Sequence, residues 1–213
     1  IATLPVRSGR VDLDARFDTA LERPSLAADL AVAELGVAGV PEGVGDLGLE
    51  LSANWAGSTL QTSVQVAGPF AQPLTGEVAV PLRAGPTWLP TVEKAAAVTG
   101  TVQWRGELAR LFALLPLPDH LAEGRLTLDV DIAGTVSEPV VSGELSLREG
   151  RYEHLVFGTV IEALHLDTDF QGLGTQGEPA VRFALSGTDG IDGKLTVEGE
   201  VSQLGAGVPA VTA

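Results

Sequence analysis

Strict alternation of apolar and polar residues is the feature that most constrains how this chain can fold. In LTLDVDIAG, residues 126–134, aliphatic residues alternate with Thr and Asp. Successive side chains of a β-strand point to opposite faces, so this period of two predicts a strand with one apolar and one acidic face. Because the pattern recurs along the whole chain, we predict an all-β protein. The predicted strands are residues 11–18, 26–33, 47–55, 59–67, 74–82, 99–104, 125–133, 143–148, 151–157, 159–170, 180–187 and 194–201.

One segment departs from this alternation. GELARLFALLPLP has apolar residues at helical spacing, and Pro116 and Pro118 end the run. We therefore predict a short helix over residues 107–115, placed to close one end or edge of the sheet. The residues at helical spacing are Leu108, Leu111, Phe112 and Leu115.

Three similar units, beginning at Pro24, Pro73 and Pro139, indicate an internal repeat. In each unit a proline leads into a strand of apolar-x-apolar form: SLAADLAV, LTGEVAV and VVSGELSL. Proline has no N–H for the ladder of a sheet, so we expect these prolines at turns. Residues 1–213 are accordingly predicted to be a single β segment built from repeats.

Composition narrows the function classes. The chain has 213 residues, a formal charge of −15 and no Cys, which excludes disulfides and thiolate metal sites. The negative charge argues against a nucleic-acid partner, because phosphates would be repelled. The sequence has neither an initial Met nor a run of about 18 apolar residues, so we expect a piece of a longer protein whose anchor lies elsewhere.

A sheet with one apolar face must hide that face from water, by closing as a barrel, packing as a sandwich or curling around a groove. The apolar positions hold mainly medium-sized aliphatic residues, and aromatic residues make up only 5% of the chain. About twelve strands at roughly 4.8 Å spacing would form a sheet about 55 Å long, and such a sheet curls. We therefore expect an elongated antiparallel sheet that curls, and the patterning alone leaves a closed core and an open groove as alternatives.

Several segments resemble the TamB family of bacterial envelope proteins. The resemblance rests on GTVSEPVVSGELSL (134–147), on REGRYEHLVFGTVIEALHLDTDFQG (148–172) and on LARLFALLPLPDHLAEGRLTLDVDIAG (108–134). GTDGIDGKLTVEGEV (187–201) is similar to the paired strands of the same family. These motifs are strand patterns with Gly and Pro spacing, and none of them is catalytic.

The resemblance implies a fold, a location and partners. Proteins of this family belong with the AsmA-like envelope proteins, whose β-taco is an elongated antiparallel sheet curled into a U-shaped apolar trough with an aliphatic interior. It implies the periplasm of a Gram-negative bacterium, an anchor in the inner membrane and transport of phospholipids to the outer membrane. It also implies a role in outer-membrane protein assembly with an Omp85-type barrel, which would contact parts of the protein outside this chain.

The aliphatic stripes are the candidate binding site, and their expected ligands are phospholipid acyl chains. The alternative is that the same side chains fill a closed core, as in a structural stalk. A second alternative is a chaperone that holds nascent outer-membrane β-strands. The predicted groove-lining residues are Leu126, Leu128, Val130, Ile132, Leu145, Leu147, Leu164, Leu166, Phe170, Phe183, Leu185, Leu195 and Val197.

Other polar clusters are interpreted as structural, and the chain is not expected to be an enzyme or to hold a cofactor or metal. His165, Asp167 and Asp169 share one strand face but are about 7 Å apart, too far to hold one small cation. The chain has no nucleophile elbow, phosphate loop or zincin motif. We expect solvated strand faces at Asp12, Asp14, Asp18, Asp129 and Asp131, a solvated turn or edge at Glu153 and His154, a hairpin turn at residues 187–193, and packing or rim positions for Trp55, Trp88 and Trp104.

Overall fold

The computed structural model describes residues 6–18, 25–37, 47–68, 72–84, 90–113, 115, 117–174, 180–202 and 210–212. These residues form strands almost throughout, with one short helix. The elements are β1 (Val6–Asp18), β2 (Ser25–Val37), β3 (Leu47–Ala56), β4 (Thr59–Ala67), β5 (Leu74–Pro81), β6 (Arg83–Ala84), β7 (Pro90–Thr91), β8 (Thr99–Glu107), α1 (Leu108–Phe112), β9 (His120–Gly134), β10 (Pro139–His154), β11 (Thr159–Gly174), β12 (Ala180–Thr188), β13 (Lys194–Ser202) and β14 (Ala210–Thr212).

Twelve of these strands form one antiparallel sheet in which each strand pairs with the next one along the chain. The order is β1-β2-β3-β4-β5-β8-β9-β10-β11-β12-β13-β14, and β6 pairs with β7 in a small separate sheet. β1 and β14 are therefore the two edges of an open sheet. The prediction of an elongated, curled, all-β sheet is confirmed.

Strand register brings the apolar stripes to one side of the sheet. Leu128 on β9 is directly opposite Trp104 on β8 and Leu145 on β10. Directly opposed residues of antiparallel strands have side chains on the same face. We call the face that carries Leu128 the inner face, and the face that carries Asp129 the outer face.

The two faces of the sheet differ in their exposure to solvent. Inner-face residues of β3 and β4 are half-buried or buried, whereas those on the outer face are exposed except for Gly48 and Thr59 at the strand ends. Among the described residues, the extensive contacts between strands are those between strands that are hydrogen-bonded neighbours, and α1 contacts β8 and β9. Since both faces of a flat single layer would be equally exposed, we attribute the burial of the inner face to curling.

Few side chains are buried, as expected for an open sheet. The chain has an accessible surface of 13722 Å², against about 9300 Å² expected for a compact monomer of its mass. The buried apolar residues are spread over many strands instead of forming one core. Among the described residues they are Trp55, Leu82, Val98, Trp104, Ala122, Leu147 and Leu164.

Left-handed residues mark bulges in three strands. Glu34, Glu149 and Ala163 have φ angles of 56°, 53° and 48°. Each coincides with a shift of register, in β2, β10 and β11 respectively. A bulge bends its strand and increases the local twist, so these residues contribute to the curvature of the sheet.

Glycines on the inner face make room for bulky neighbours. A side chain at Gly106 would overlap the ring of Trp104, and a Cβ at Gly143 would lie 2.9 Å from Cζ of Phe170. The concave side of a bent sheet has less space than the convex side. Because glycine has no side chain, the sheet can bend at these positions while aromatic rings cover the backbone.

Several boundaries differ from the sequence-based predictions. The helix is shorter than residues 107–115, and the strands predicted at 143–148 and 151–157 are one continuous strand, β10. The bulge at Glu149 interrupts the alternation without ending the strand.

Pro73 directly precedes β5 and Pro139 begins β10, as predicted, while Pro24 and Trp88 lie outside the described residues. Strands β6, β7 and β14 were not predicted.

We expect Gly143→Ala to destabilise the chain by about 1–3 kcal/mol, because overpacking displaces well-packed neighbours. The new Cβ would overlap the carbonyl oxygen of Asp129 and crowd Phe170. Urea unfolding measures the change, with Ser142→Ala on the opposite face as the control. Equal midpoints for the two variants would contradict the role assigned to this glycine.

Candidate functional site

All thirteen residues predicted to line a groove lie on the inner face. Leu147 and Leu164 are buried, and the other eleven are half-buried. We call these thirteen residues the apolar groove. Within it Leu126, Leu147, Leu166, Leu185 and Val197 are directly opposed on five consecutive strands. At about 4.8 Å per strand, this line of side chains is about 19 Å long.

The inner face continues the apolar groove across the entire sheet. One line of directly opposed apolar residues or glycines crosses all twelve strands of the sheet, from Leu13 on β1 to Val211 on β14. We call this line the apolar row; at about 4.8 Å per strand it is about 53 Å long. The apolar row consists of Leu13, Leu30, Leu51, Val64, Gly76, Val102, Val130, Gly143, Phe170, Val181, Val201 and Val211.

Sequence reasoning did not identify the N-terminal half of this row. Each strand there has the same period of two, and this signal is present in residues 47–55 and 59–67. The missing information was the register, which decides whether the stripes of successive strands join or are offset.

The outer face is polar, and its residues are exposed or half-buried. Asp129, Glu144 and Asp169 are directly opposed on β9, β10 and β11, and Arg182 follows on β12. The Arg182 guanidinium lies 3.1 Å from the Glu200 carboxylate. His165 uses Nδ1 to contact the carbonyl oxygen of Ala163. Within the described ranges, no group of three or more His, Cys, Asp or Glu residues is arranged to hold a metal ion.

A shallow hollow of about 530 Å³ lies on the outer face over β10–β13. Because sheets twist, each face is concave along one diagonal, so a hollow on the outer face is compatible with curling about the inner face. Six charged side chains line it, of which Asp169 and Glu200 are half-buried and the other four are exposed. They are Glu144, Asp167, Asp169, Arg182, Glu198 and Glu200.

The hairpin predicted at residues 187–193 is present and is stabilised by Asp189. Its carboxylate accepts hydrogen bonds from the N–H groups of Ile191 at 2.9 Å and Gly193 at 2.8 Å. These bonds favour the ionised form and lower the pKa of Asp189 below its usual value. Gly190 has a φ of 82°, a conformation that glycine adopts readily.

Glu153 and His154 do not form the solvated turn or edge that the sequence predicted. Both are half-buried in β10, and His154 is directly opposite His120 on β9. The bulge at Glu149 shifts the alternation by one residue, so Tyr152 and His154 lie on the inner face. Tyr152 is opposite Ala122, which is buried.

These side chains form a small polar cluster at one end of the groove. His120 Nδ1 is 2.8 Å from the hydroxyl of Tyr152, and the rings of His120 and His154 are 4.5 Å apart. Thr159 on β11 is directly opposite His154. We call His120, Tyr152, His154 and Thr159 the polar rim.

The two tryptophans within the described residues pack on the inner face, as predicted. Trp55 is fully buried and stacks with Phe17 at 6.4 Å between ring centroids. Trp104 is also buried, and its Nε1 donates a hydrogen bond to the carbonyl oxygen of Gln72 at 3.1 Å. Both rings therefore contribute to the apolar lining.

Comparisons of this chain with protein-family models, curated proteins and solved structures gave no match. Among the residues that the structure describes, no helix has both the length and the hydropathy of a membrane span.

Replacing Asp129, Asp131, Asp167 and Asp169 with Asn should leave the fold intact, with a free energy of unfolding within about 1 kcal/mol of wild type. The reason is that Asp131 and Asp167 are exposed, Asp129 and Asp169 are only half-buried, and charges and ion pairs in contact with water contribute little to stability. Urea unfolding and melting curves with calcium or a chelator measure the effect. A calcium-dependent rise in wild-type melting temperature that the variant lost would reveal a metal site and contradict our interpretation.

Proposed function

We propose that this chain is a periplasmic segment of a TamB-like envelope protein and that its inner face binds and conducts phospholipid acyl chains between the inner and outer membranes. The observation that supports this most strongly is the apolar row, which crosses all twelve strands of the sheet. A filled core needs apolar contacts only between its own residues. A continuous line of apolar residues and glycines across a curled sheet also suits a mobile apolar ligand.

The energetics favour a lipid as that ligand. Moving one methylene out of water contributes about 0.8 kcal/mol, so a chain of some sixteen carbons gains on the order of 10 kcal/mol gross. Eleven of the thirteen groove residues are half-buried, which leaves apolar surface for a ligand to cover. Aliphatic walls make no directional bonds, so a bound acyl chain can slide along the groove.

The acidic outer face complements this function. A surface of one predominant charge keeps an elongated sheet soluble and discourages association between sheets. On this proposal the protein is anchored in the inner membrane of a Gram-negative bacterium by a part outside this chain. Its partner at the outer membrane would be an Omp85-type barrel, also contacted by other parts of the protein.

A second function, holding nascent outer-membrane β-strands, is favoured by the exposed edge of the sheet. β1 offers a thirteen-residue edge, and its inner-face residues Val11 and Leu13 are 64% and 69% exposed. Backbone pairing with such an edge is a common way to bind an extended peptide. Binding of unfolded barrel segments to the edge, without lipid in the groove, would favour this function.

The Leu128→Asp variant tests whether the groove is open to lipid. In an open groove the new carboxylate stays partly hydrated, so we expect a loss of about 1–2 kcal/mol in stability and loss of bound phospholipid. Thr127→Asp places the same charge on the outer face and is the matched control; it should keep its lipid. Urea unfolding and mass spectrometry of extracted lipid measure both outcomes.

A photoreactive residue at position 128 provides an independent readout. In the proposed conduit it crosslinks to acyl chains in the otherwise normal protein. Absence of that crosslink, together with a collapse of stability by several kcal/mol in Leu128→Asp, would indicate a sealed core and a structural stalk.

A further inference from the structure

The polar rim is an exception on an otherwise apolar surface. On the inner face of β9–β13, the described residues with polar side chains are Thr168 and the four members of the rim. Thr168 lies within the apolar groove, opposite Leu145 and Phe183. The rim is therefore the one place on this part of the inner face where several hydrogen-bonding side chains meet.

The rim retains hydrogen-bond donors for a ligand. The N–H of Phe157 points to Nδ1 of His154 at 3.4 Å, so neutral His154 carries its proton on Nε2. One hydrogen bond joins Nδ1 of His120 to the hydroxyl of Tyr152. If the hydroxyl donates this bond, the N–H at Nε2 of His120 remains as a donor; if Nδ1 donates it, the hydroxyl hydrogen of Tyr152 remains. Two donors that the described residues do not use are thus held within one small cluster.

We propose that the polar rim binds the phosphate group of a phospholipid whose acyl chains occupy the apolar groove. This inference rests on the proposed function and specifies its ligand. Phosphate oxygens accept hydrogen bonds from N–H and O–H groups, and bonds to an ionised acceptor are stronger than neutral ones. The rim is at the end of β9 and β10, where a headgroup can remain in water while its chains follow the inner face.

Charge favours a zwitterionic headgroup over an anionic one. The chain carries a formal charge of −15, which repels lipids with net negative charge. Asp119 immediately precedes His120 and is exposed. A headgroup with a phosphate and an ammonium group can meet the rim donors with the first and the acidic surroundings with the second.

The test compares lipids that share their acyl chains and differ in the headgroup. Phosphatidylethanolamine and diacylglycerol with brominated chains are titrated into the 213-residue chain, and quenching of tryptophan fluorescence reports binding. We expect wild type to bind phosphatidylethanolamine about tenfold more tightly than diacylglycerol, the effect of one hydrogen bond to a charged group. Phosphatidylglycerol should bind more weakly than phosphatidylethanolamine.

Two variants assign this difference to the rim. His120→Phe, Tyr152→Phe and His154→Phe combined remove the donors counted above but keep aromatic rings, and should abolish the preference while leaving the affinity for diacylglycerol unchanged. His154→Phe alone removes one of the two donors and leaves the His120–Tyr152 hydrogen bond in place, so it should reduce the preference in part, which covers the case in which the combined variant does not fold. His165→Phe on the outer face is the control and should bind like wild type.

Each other outcome overturns a distinct claim. If wild type binds diacylglycerol and phosphatidylethanolamine equally, the rim proposal fails and the lipid conduit stands. If neither lipid quenches the tryptophans, both proposals fail. If inorganic phosphate alone shifts the imidazole NMR signals and does not compete with phosphatidylethanolamine, the rim is a site for free phosphate and not for a lipid.

Discussion

Removal of one apolar face from water, without a second layer to cover it, is the constraint on which this structure depends. Successive strands align their aliphatic stripes, so that Leu128 meets Trp104 on one side and Leu145 on the other. Curling brings these side chains close enough to shield one another. The outer face meanwhile keeps its carboxylates in water, because burying them without partners would cost several kcal/mol each.

The curvature itself is built from small local features. Glycines such as Gly143 remove bulk from the inner face, and rings such as Phe170 cover the exposed backbone there. Bulges at Glu149 and Ala163 add bends and keep the apolar residues on one face beyond each bulge. The result shields the inner face only partly, and this partial shielding is the property that the proposed conduit requires.

The polar rim shows how a bulge can create a site. Without the extra residue at Glu149, Tyr152 and His154 would point to the outer face with the acidic residues. With it, they join His120 at the end of the groove. An aliphatic groove can bind an acyl chain without fixing where along the groove the chain lies, because apolar contacts have no direction. Hydrogen-bond donors at one end would fix the place of the phosphate group, and with it that of the lipid.

The sequence by itself determined the all-β class, most strand positions, the short helix and the hairpin at residues 187–193, because period-two alternation and turn residues are local signals. It also placed Leu126 and Asp129 on opposite faces of one strand. Only the tertiary structure decided how the stripes of different strands join, since register depends on pairing between residues far apart in the chain. It also decided on which face of the sheet His154 lies, because a single bulged residue moves each later residue of its strand to the opposite face.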